Sequence, residues 1–346
     1  MDSQNTGLVA RQADIYSMLD PQRRGVVGVG SALVDILARE DDAFLMHVGA
    51  IKGGMTYVEK AFIDQTVART TTPACIVPGG SACNTVVGIG RLGGRARFVG
   101  KCGNGPMGQL FVDDLQKQGV EAMLIRSDAP TGRVLSIITP DAQRSMFTYL
   151  GASAETRPGE ITMDCFQGAA IVHIEGYLLF NRDLLIATLT AARAAGALIS
   201  LDLASFNVVA EARDILPDLV ARYVDILLAN EDEAEAYTGI KDPHQALPIL
   251  AQGVTLAVLK NGARGSLIAH AGEVLAITPK GNGEAVVDTT GAGDLYAAGF
   301  LYGLINRMPL VQCGELGSIC GYEVCQVIGA NIPEERWTAI KREVKA

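Results

Sequence analysis

The sequence predicts an α/β fold with a mainly parallel central sheet and a small β-strand lid. Short apolar runs alternate with helical patterns over most of the 346 residues, and polar residues follow several runs directly, as Asp202, Asn230 and Lys260 do. Two segments, 33–55 and 131–152, break that alternation. Strands alternating with helices form parallel sheets covered on both faces, and ligands bind at the carboxyl ends of such strands.

Each element has its own signal. The second exceptional segment alternates apolar and polar residues around a turn at Pro140-Asp141, which predicts an antiparallel hairpin. Two early helices show clear patterns, SACNTVVGIGRLG and PMGQLFVDDLQKQG. The predicted core strands are VVGVG (26–30), ACIVP (74–78), RARFVG (95–100), AAIVHIE (169–175), ALISLDL (197–203), VDILLANE (224–231) and VTLAVLK (254–260).

These signals divide the chain into three parts. We expect a polar N-terminal extension over residues 1–25. A small β lid is expected over residues 33–55 and 119–152. The remainder is expected to form one large α/β domain, over residues 26–32, 56–118 and 153–346.

Composition narrows the class of protein. The chain is 49% hydrophobic with a net charge of −9, and its Lys and Arg form no runs, which argues against nucleic-acid or anionic-membrane surfaces. It shows no secretory signal and no apolar run of about 18 residues, the length that a membrane span needs. Seven cysteines without a C-x-x-C pair, and four scattered histidines, favour a cytoplasmic protein without a structural metal.

The stretch DTTGAGD (288–294) carries the strongest chemical signal. Gly291 and Gly293 allow backbone amides to converge, and a helix starting there directs free N–H groups at an anion such as a phosphate. Asp294, in the first helical turn, is placed to accept a proton from an attacking hydroxyl. The alternative is structural, a tight loop before a buried helix with a carboxylate favoured by the helix dipole.

Gly79 and Gly80 open a second motif, GGSACNTVVGIGRLGG. Glycines carry no β-carbon and let the backbone approach a ligand closely. Asn84, one turn into the following helix, offers both a donor and an acceptor to a hydroxyl-rich molecule. Helix capping by Ser81, with glycines for close packing, explains the same residues equally well.

Two further motifs have good structural explanations. In LLANEDEAEAYTG, Asn230 suits a helix N-cap and the following acids suit the positive helix end, although Glu233 also suits a water-coordinated Mg²⁺. In LKNGARGS, Gly262 and Gly265 make a loop that suits either a nearby nucleotide or a hairpin turn.

In their order along the chain (GGSACNT, NEDE, K-x-G-x-x-G, DTTGAGDLYAAGFL), the four motifs resemble the ribokinase-like (PfkB) family of carbohydrate and nucleoside kinases, over residues 26–332. The resemblance implies a three-layer α/β/α sandwich that uses ATP and Mg²⁺ to phosphorylate a primary alcohol. Asp294 would be the catalytic base, and Gly291, Ala292 and Gly293 the anion hole. The resemblance places magnesium near Asn230 and Glu233, a possible K⁺ near Asp288 and Thr290, and nucleotide contacts at Asn230, Glu233, Lys260, Gly262, Gly265, Asp288, Thr289 and Asn331.

Other details resemble adenosine kinases and their bacterial sugar-kinase-like relatives. GSALVDIL matches a segment whose aspartate, here Asp35, grips ribose hydroxyls. The lid strand carries Arg144 where the family has a phosphate-contacting arginine, and EGYLL at 175–179 also fits. Ser31 departs from the pattern, because adenosine kinases commonly carry an asparagine there. The acceptor contacts expected are Ser31, Asp35, Gly79, Gly80 and Asn84.

We therefore expect phosphorylation of a ribose-containing nucleoside, adenosine first, on its 5′-hydroxyl. Phe147 and Tyr149 of the lid are expected to shelter the nucleobase of the acceptor from water. A sugar kinase of the same family, acting on ribose or fructose, is the alternative. A noncatalytic sugar-binding or nucleoside-binding protein would not need Asp294, and a nicotinamide dehydrogenase would need a third glycine after Gly28 and Gly30. The small molecule is the only partner expected, with the chain a monomer or homodimer.

Overall fold

The computed structural model describes residues 13–141, 143–281, 283 and 285–345. The strands in chain order are β1 (Gly25–Val29), β2 (Leu33–Arg39), β3 (Met55–Tyr57), β4 (Cys75–Gly79), β5 (Arg95–Gly103), β6 (Val120–Ser127), β7 (Thr131–Ile138), β8 (Arg144–Gly151), β9 (Ala169–Glu175), β10 (Leu198–Asp202), β11 (Ile226–Asn230), β12 (Leu256–Lys260), β13 (Ser266–His270) and β14 (Glu273–Ile277).

The helices in chain order are α1 (Ile15–Met18), α2 (Asp42–His47), α3 (Lys60–Val67), α4 (Ser81–Leu92), α5 (Pro106–Lys117), α6 (Arg182–Ala194), α7 (Phe206–Glu211), α8 (Leu216–Tyr223), α9 (Glu231–Thr238), α10 (Pro243–Leu250), α11 (Ala292–Ile305), α12 (Leu310–Val324) and α13 (Glu334–Lys345). Short 3₁₀ turns lie at Ala152–Glu155, Pro158–Glu160, Met163–Phe166, Gly176–Phe180 and Gly262–Arg264.

Within the described residues, the larger sheet has nine strands in the order β14-β13-β12-β11-β10-β9-β1-β5-β6. The neighbouring strands β6, β5, β1, β9, β10, β11 and β12 pair in parallel. Strands β13 and β14 add an antiparallel edge beside β12. The parallel strands therefore all end at one edge of the sheet. Their last residues include Glu175, Asp202, Asn230 and Lys260, which brings these polar side chains to the same edge.

Helices cover both faces of this sheet. Along β12, Leu256 and Val258 pack in one apolar cluster with α4, α11, α12 and α13, whereas Ala257 and Leu259 pack in a second cluster with α6 to α10. Strands buried on both faces are apolar at successive positions, which explains the continuous apolar runs in the sequence. The predicted three-layer α/β/α fold with a mainly parallel sheet is confirmed.

The smaller sheet is the lid, with strand order β3-β8-β7-β2-β4 in the described chain. The predicted hairpin is confirmed, because β7 and β8 pair antiparallel on either side of Pro140 and Asp141. One face of the lid is apolar and packs under α2 and α3 through residues such as Ile63 and Leu135. The opposite face looks toward the carboxyl edge of the large sheet.

Two segments belong to sheets other than those expected. The segment 74–78 was expected in the large sheet, but β4 pairs with β2 in the lid. Pro78 has no N–H for a central ladder, which suits this edge position. The range 119–152 was expected wholly in the lid, but β6 is the parallel edge strand of the large sheet beside β5. Helix α3 also packs on the lid, through Ile63.

The described part of the expected N-terminal extension is packed against the large domain. Ile15 and Leu19 are buried in the apolar cluster of α11 and α12. The Ile15 N–H donates to His270 Nε2 at 3.1 Å, and Tyr16 Oη donates to the Met308 carbonyl. Residues 1–12 lie outside the described range. No helix in the described part of the chain combines the length and the apolar character that crossing a bilayer requires.

Candidate active site

A cavity of about 830 Å³ lies between the lid and the carboxyl edge of the large sheet. Its walls come from both sheets and from the first turns of α4, α9 and α11. Predicted site residues that line it are Ser31, Asp35, Gly80, Asn84, Arg144, Asn230, Glu233, Lys260, Gly262, Gly265, Thr289, Gly291, Ala292, Gly293 and Asp294. One cavity therefore collects residues from all four sequence motifs and from the lid.

Asp294 is held in place by the first turn of α4. Its Oδ1 accepts a hydrogen bond from Ser81 Oγ at 2.8 Å, and its Oδ2 accepts one from Asn84 Nδ2 at 2.9 Å. Thr85 Oγ1 donates to the Asp294 carbonyl at 3.1 Å. Burial raises the pKa of Asp294, while the Asn84 and Ser81 hydrogen bonds oppose that shift because they favour the charged form. An oriented carboxylate at a cavity wall suits a general base.

Asn84 thus has a different contact from the one expected. It was predicted to touch the acceptor, but its amide N–H₂ donates to Asp294. Ser81, predicted as a cap, also donates to Asp294. In this structure both side chains orient the carboxylate. A contact from Asn84 to an acceptor stays a prediction, through the carbonyl oxygen of its amide.

The glycine-rich loop places the start of α11 against the cavity. Gly291 is the N-cap with φ 76°, and a methyl group there would lie 2.7 Å from the Ala330 Cβ, so both conformation and space call for glycine. The first-turn amides of a helix have no intrahelical acceptor. The Ala292 N–H, however, donates to the Thr289 carbonyl at 3.2 Å. That amide is engaged within the loop in this structure, and its place in an anion hole stays a prediction.

A buried charged group lies beside this loop. Lys260 Nζ donates to Asp202 Oδ2 at 2.7 Å, and both residues line the cavity. Burial acts to lower the pKa of Lys260, but the carboxylates of Asp202 and Glu233 outweigh it and hold that pKa above its usual value. The ammonium group therefore stays protonated at neutral pH and supplies positive charge at the wall of the cavity.

Asn230 and Glu233 form a capping box at the start of α9. The Glu233 N–H donates to Asn230 Oδ1 at 2.8 Å, and the Asn230 N–H donates to Glu233 Oε2 at 2.7 Å. Asn230 Nδ2 also donates to Glu233 Oε1 at 2.8 Å. Burial is the main cause that raises the pKa of Glu233. The structural interpretation of this motif is therefore correct, and both residues also line the cavity.

The lid end of the cavity carries a second buried carboxylate. Asp35 is 7% exposed, and burial raises its pKa to about 6, with the charge of Arg144 acting in the opposite direction. A β-carbon on Gly79 would lie 2.3 Å from Asp35 Oδ2, and one on Gly80 would lie 2.5 Å from the Ser31 carbonyl. These glycines make room for protein groups at the acceptor end, whereas the sequence suggested room for a ligand.

Several expected site residues lie apart from the cavity lining. Gly79 lies behind Asp35, and Asn331 is exposed to solvent. The buried Asp288 accepts hydrogen bonds from the Thr290 N–H, the Thr290 hydroxyl and the Gly329 N–H, so its carboxylate ties two loops together. In the described part of the chain, the cavity lining does not include the predicted residues Gly79, Asp288, Thr290 and Asn331.

The prediction for Phe147 and Tyr149 is wrong. Phe147 is buried on the helix-covered face of the lid, where its ring packs 4.8 Å from that of Phe62, and Tyr149 packs against the same cluster. Side chains alternate along a strand, so Met146 and Thr148 line the cavity instead.

Sequence reasoning missed Glu175 as a site residue. Its carboxylate is buried and accepts hydrogen bonds from the Ser31 N–H at 2.8 Å and the Ala82 N–H at 3.1 Å. Burial raises its pKa to about 7. Its place as the last residue of an apolar strand was the available signal. Tyr57 and Tyr177 also line the cavity without having been singled out for it.

A metal ion at this site would need substrate phosphates and waters as ligands in addition to protein carboxylates. No cluster of three or more His, Cys, Asp or Glu residues arranged to hold a metal occurs in the described chain. The carboxylates of Asp202 and Glu233 nevertheless line the cavity close to Lys260. Magnesium typically keeps several waters and binds through few carboxylates plus substrate phosphates, which this arrangement fits.

Comparison with known proteins identifies the family. The pfkB family carbohydrate kinase profile matches residues 55–337. The structure of adenosine kinase from Sinorhizobium meliloti is 34% identical, with a TM-score of 0.87, covering 93% of this chain and 99% of that one. A probable sugar kinase from Rhizobium etli CFN 42 is 32% identical with the same TM-score, covering 94% and 100%.

A third relative acts on a different molecule, by its name. The 5-dehydro-2-deoxygluconokinase of Geobacillus kaustophilus (strain HTA426) is 28% identical over an alignment of 259 positions that covers 69% of this chain and 76% of that protein. The family profile, the fold shared with solved kinase structures and the residues gathered in the cavity all indicate the same family. The chain belongs to the pfkB family of carbohydrate kinases, ATP-using phosphotransferases with an alcohol group as acceptor.

Proposed function

We propose that this protein transfers the γ-phosphoryl group of ATP to the 5′-hydroxyl of a ribose-containing nucleoside, with adenosine as the first candidate. The observation that carries the proposal is the composition of the lid wall. Asp35 is flanked there by apolar side chains that face the cavity, namely Leu33, Met55, Tyr57, Val134, Met146 and Leu150. A free hexose offers only hydroxyl groups to such a wall, whereas a nucleoside offers a planar base as well.

Asp35 suits the sugar part of a nucleoside. A buried carboxylate accepting two vicinal hydroxyl groups binds a cis-diol, and a site built in this way rejects analogues that lack one hydroxyl. Asp35 and Asp294 line the same cavity, and the charge of Asp294 helps to raise the pKa of Asp35. With the ribose held at Asp35, the 5′-hydroxyl is directed toward the proposed base, Asp294.

The donor end suits a triphosphate. Lys260, Gly262, Gly265 and Thr289 line it, and α11 directs its N-terminus into the cavity. We assign the nucleotide to this end, with magnesium held by the phosphates and by waters near Asn230 and Glu233. When bound, the metal neutralises charge on the phosphates.

A potassium response is a further part of the proposal. The Asp288 carboxylate already accepts three hydrogen bonds from protein groups, so a cation near Asp288 and Thr290 would depend on backbone carbonyls. Replacing potassium by sodium in the turnover assay tests this directly. A loss of turnover supports a bound K⁺, and equal rates in the two salts remove it from the account.

The experiment compares adenosine, 2′-deoxyadenosine, ribose and fructose as acceptors for the wild type and for Asp35→Ala. We expect a strong preference for adenosine that the variant loses. Asp64→Ala is the matched control, because Asp64 is an exposed lid carboxylate paired with Lys60 and Arg133 on the helix-covered side. Equal or better activity on a free hexose would contradict the nucleoside proposal.

A sugar kinase is the second candidate function. The names of two relatives, a probable sugar kinase and 5-dehydro-2-deoxygluconokinase, support it. Arg144 lies close enough to Asp35 to lower the pKa of that carboxyl, so the acceptor end also holds a positive charge that suits an acidic sugar. Including gluconate-type sugar acids in the same screen separates this candidate from adenosine.

A further inference from the structure

Lys260 occupies a position that its role as a nucleotide contact does not by itself explain. Its Nζ lies 3.1 Å from the point where a β-carbon on Gly293 would stand. Gly293 has no left-handed backbone, and a β-carbon there would press on the ammonium group. A phosphoryl oxygen approaching the first turn of α11 beside Asp294 would therefore meet Lys260 as well.

Asp202 fixes the ammonium group in that position. Its Oδ2 accepts the hydrogen bond from Lys260, and its Oδ1 accepts one from the Ala204 N–H at 3.1 Å. Ala204 has φ 63°, a left-handed conformation that is strained for a residue with a side chain. Such strain persists where the surroundings determine the backbone, and here it turns the chain so that the amide holds Asp202.

Titratable groups on four elements surround Lys260. The carboxylates of Asp202, Glu233 and Asp294 come from β10, α9 and α11, and His173 on β9 is held neutral because burial lowers its pKa to about 4. A lysine ammonium has three donor hydrogens. The bond to Asp202 uses one of them, which leaves donors for a phosphoryl oxygen at the cavity wall.

We propose that Lys260 is a catalytic residue that donates a hydrogen bond to the transferring phosphoryl group, and that Asp202 is the residue that positions it. The proposal rests on the proposed phosphoryl transfer but not on the identity of the acceptor. Charge developing on the phosphoryl oxygens in the transition state would be stabilised by an ammonium group already in place.

The test measures turnover and ADP affinity for Lys260→Met and Asp202→Asn. ADP lacks the transferred group, so we expect its affinity to fall far less than kcat. Loss of one preorganised donor typically lowers kcat by about 10²-fold, and we expect that loss for Lys260→Met. Lys260→Arg keeps the charge and should recover part of the rate. Equal kcat in the wild type and Lys260→Met, or parallel losses of kcat and ADP affinity, overturn the proposal.

Lys260→Met leaves a buried, unpaired Asp202, which can prevent folding. The double variant Lys260→Met with Asp202→Asn removes both charges. If Asp202 acts only through Lys260, the double variant is as slow as Lys260→Met alone, since the two effects do not add. Multiplied losses overturn the positioning role. Lys101→Met is the matched control, a buried lysine paired with Glu160 outside the cavity, and should lower stability without lowering kcat.

The outcomes separate this inference from the proposed function. A wild-type chain that phosphorylates a nucleoside or a sugar, with an equally active Lys260→Met variant, contradicts the inference alone. A wild-type chain that transfers phosphate to no nucleoside or sugar contradicts both. A wild-type chain that prefers a sugar, with a slow Lys260→Met variant, contradicts the nucleoside proposal and supports the inference.

Discussion

Gly79→Ala tests how the acceptor end is built. The added β-carbon would stand 2.3 Å from Asp35 Oδ2 and 2.4 Å from its Cγ, whereas ordinary contacts begin at 3.4 Å. The Asp35 carboxylate must therefore move by about 1 Å, because that is the difference between this approach and an ordinary contact. The backbone of Gly79 lies outside the left-handed region, so this contact is the main cost of the substitution.

Two magnitudes follow from that displacement. Inserting a methyl group into a packed site typically costs about 1–3 kcal/mol of unfolding free energy. The melting temperature should then fall by about 2–12 °C, at about 2–4 °C per kcal/mol. A misplacement of about 1 Å in a binding group can cost up to ~10² in rate, so kcat/KM for the acceptor should fall by one to two orders of magnitude. The KM for ATP should not change.

The assay combines thermal denaturation with steady-state kinetics for both substrates. Gly159→Ala is the control, because no atom outside the neighbouring residues lies within 4 Å of the β-carbon it adds. We expect the control to match the wild type in acceptor kinetics. A Gly79→Ala enzyme with wild-type kcat/KM for the acceptor would refute the claim that Asp35 grips the acceptor from this position.

Three further predictions concern the other carboxylates. Asn84→Ala removes a hydrogen bond that lowers the pKa of Asp294, so the acidic limb of the kcat profile should move to higher pH, and an unmoved limb counts against Asp294 as base. Burial raises the pKa of Glu175 in the folded state to about 7 from its usual value of 4.5, so the folded state holds more protons between these values and stability falls as pH rises through that window. Glu175→Gln should therefore lose less melting temperature than the wild type between pH 5 and pH 8, and an equal loss contradicts the assignment. Glu233→Gln should weaken the magnesium dependence of turnover more than acceptor affinity, while the exposed Asp232→Asn should not, and an unchanged magnesium titration returns Glu233 to a purely capping role.

Much of the large domain was predictable because its signals are local. Continuous apolar runs ending in a polar residue identified the parallel strands, and the polar ends of β10, β11 and β12 do meet at one edge. The capping box of Asn230 and Glu233 was equally readable, since a cap followed three residues later by an acid is a short-range pattern.

The lid was less predictable because its signals depend on pairing between distant segments. Pro78 suits an edge strand, but nothing local says which sheet β4 joins, and it was expected in the large sheet. Alternation along β8 separated Phe147 from Met146 correctly, yet the sequence could not say which set faces the cavity. The aromatic residues Phe147 and Tyr149 were assigned to the ligand, but they pack in the apolar cluster under α3.

Contacts between motifs were also beyond the sequence. Asn84 and Asp294 are 210 positions apart, and only the packing of α4 against α11 brings them together. Gly79 on β4 leaves room for the Asp35 carboxylate on the paired strand β2, and neither motif alone shows this contact. Glu175 was passed over because a lone acid after an apolar strand resembles any strand end.

The most direct test of the central claim, a kinase with Asp294 as its base, is the turnover of Asp294→Asn beside the wild type. Asparagine keeps an oxygen for the Asn84 donor, and the Ser81 hydroxyl can accept from its amide, so the fold should persist. Loss of a positioned general base typically lowers kcat by ~10² to 10⁴, and we predict a fall in that range with unchanged ADP binding and melting temperature. Near-wild-type turnover in a folded Asp294→Asn variant would contradict the account.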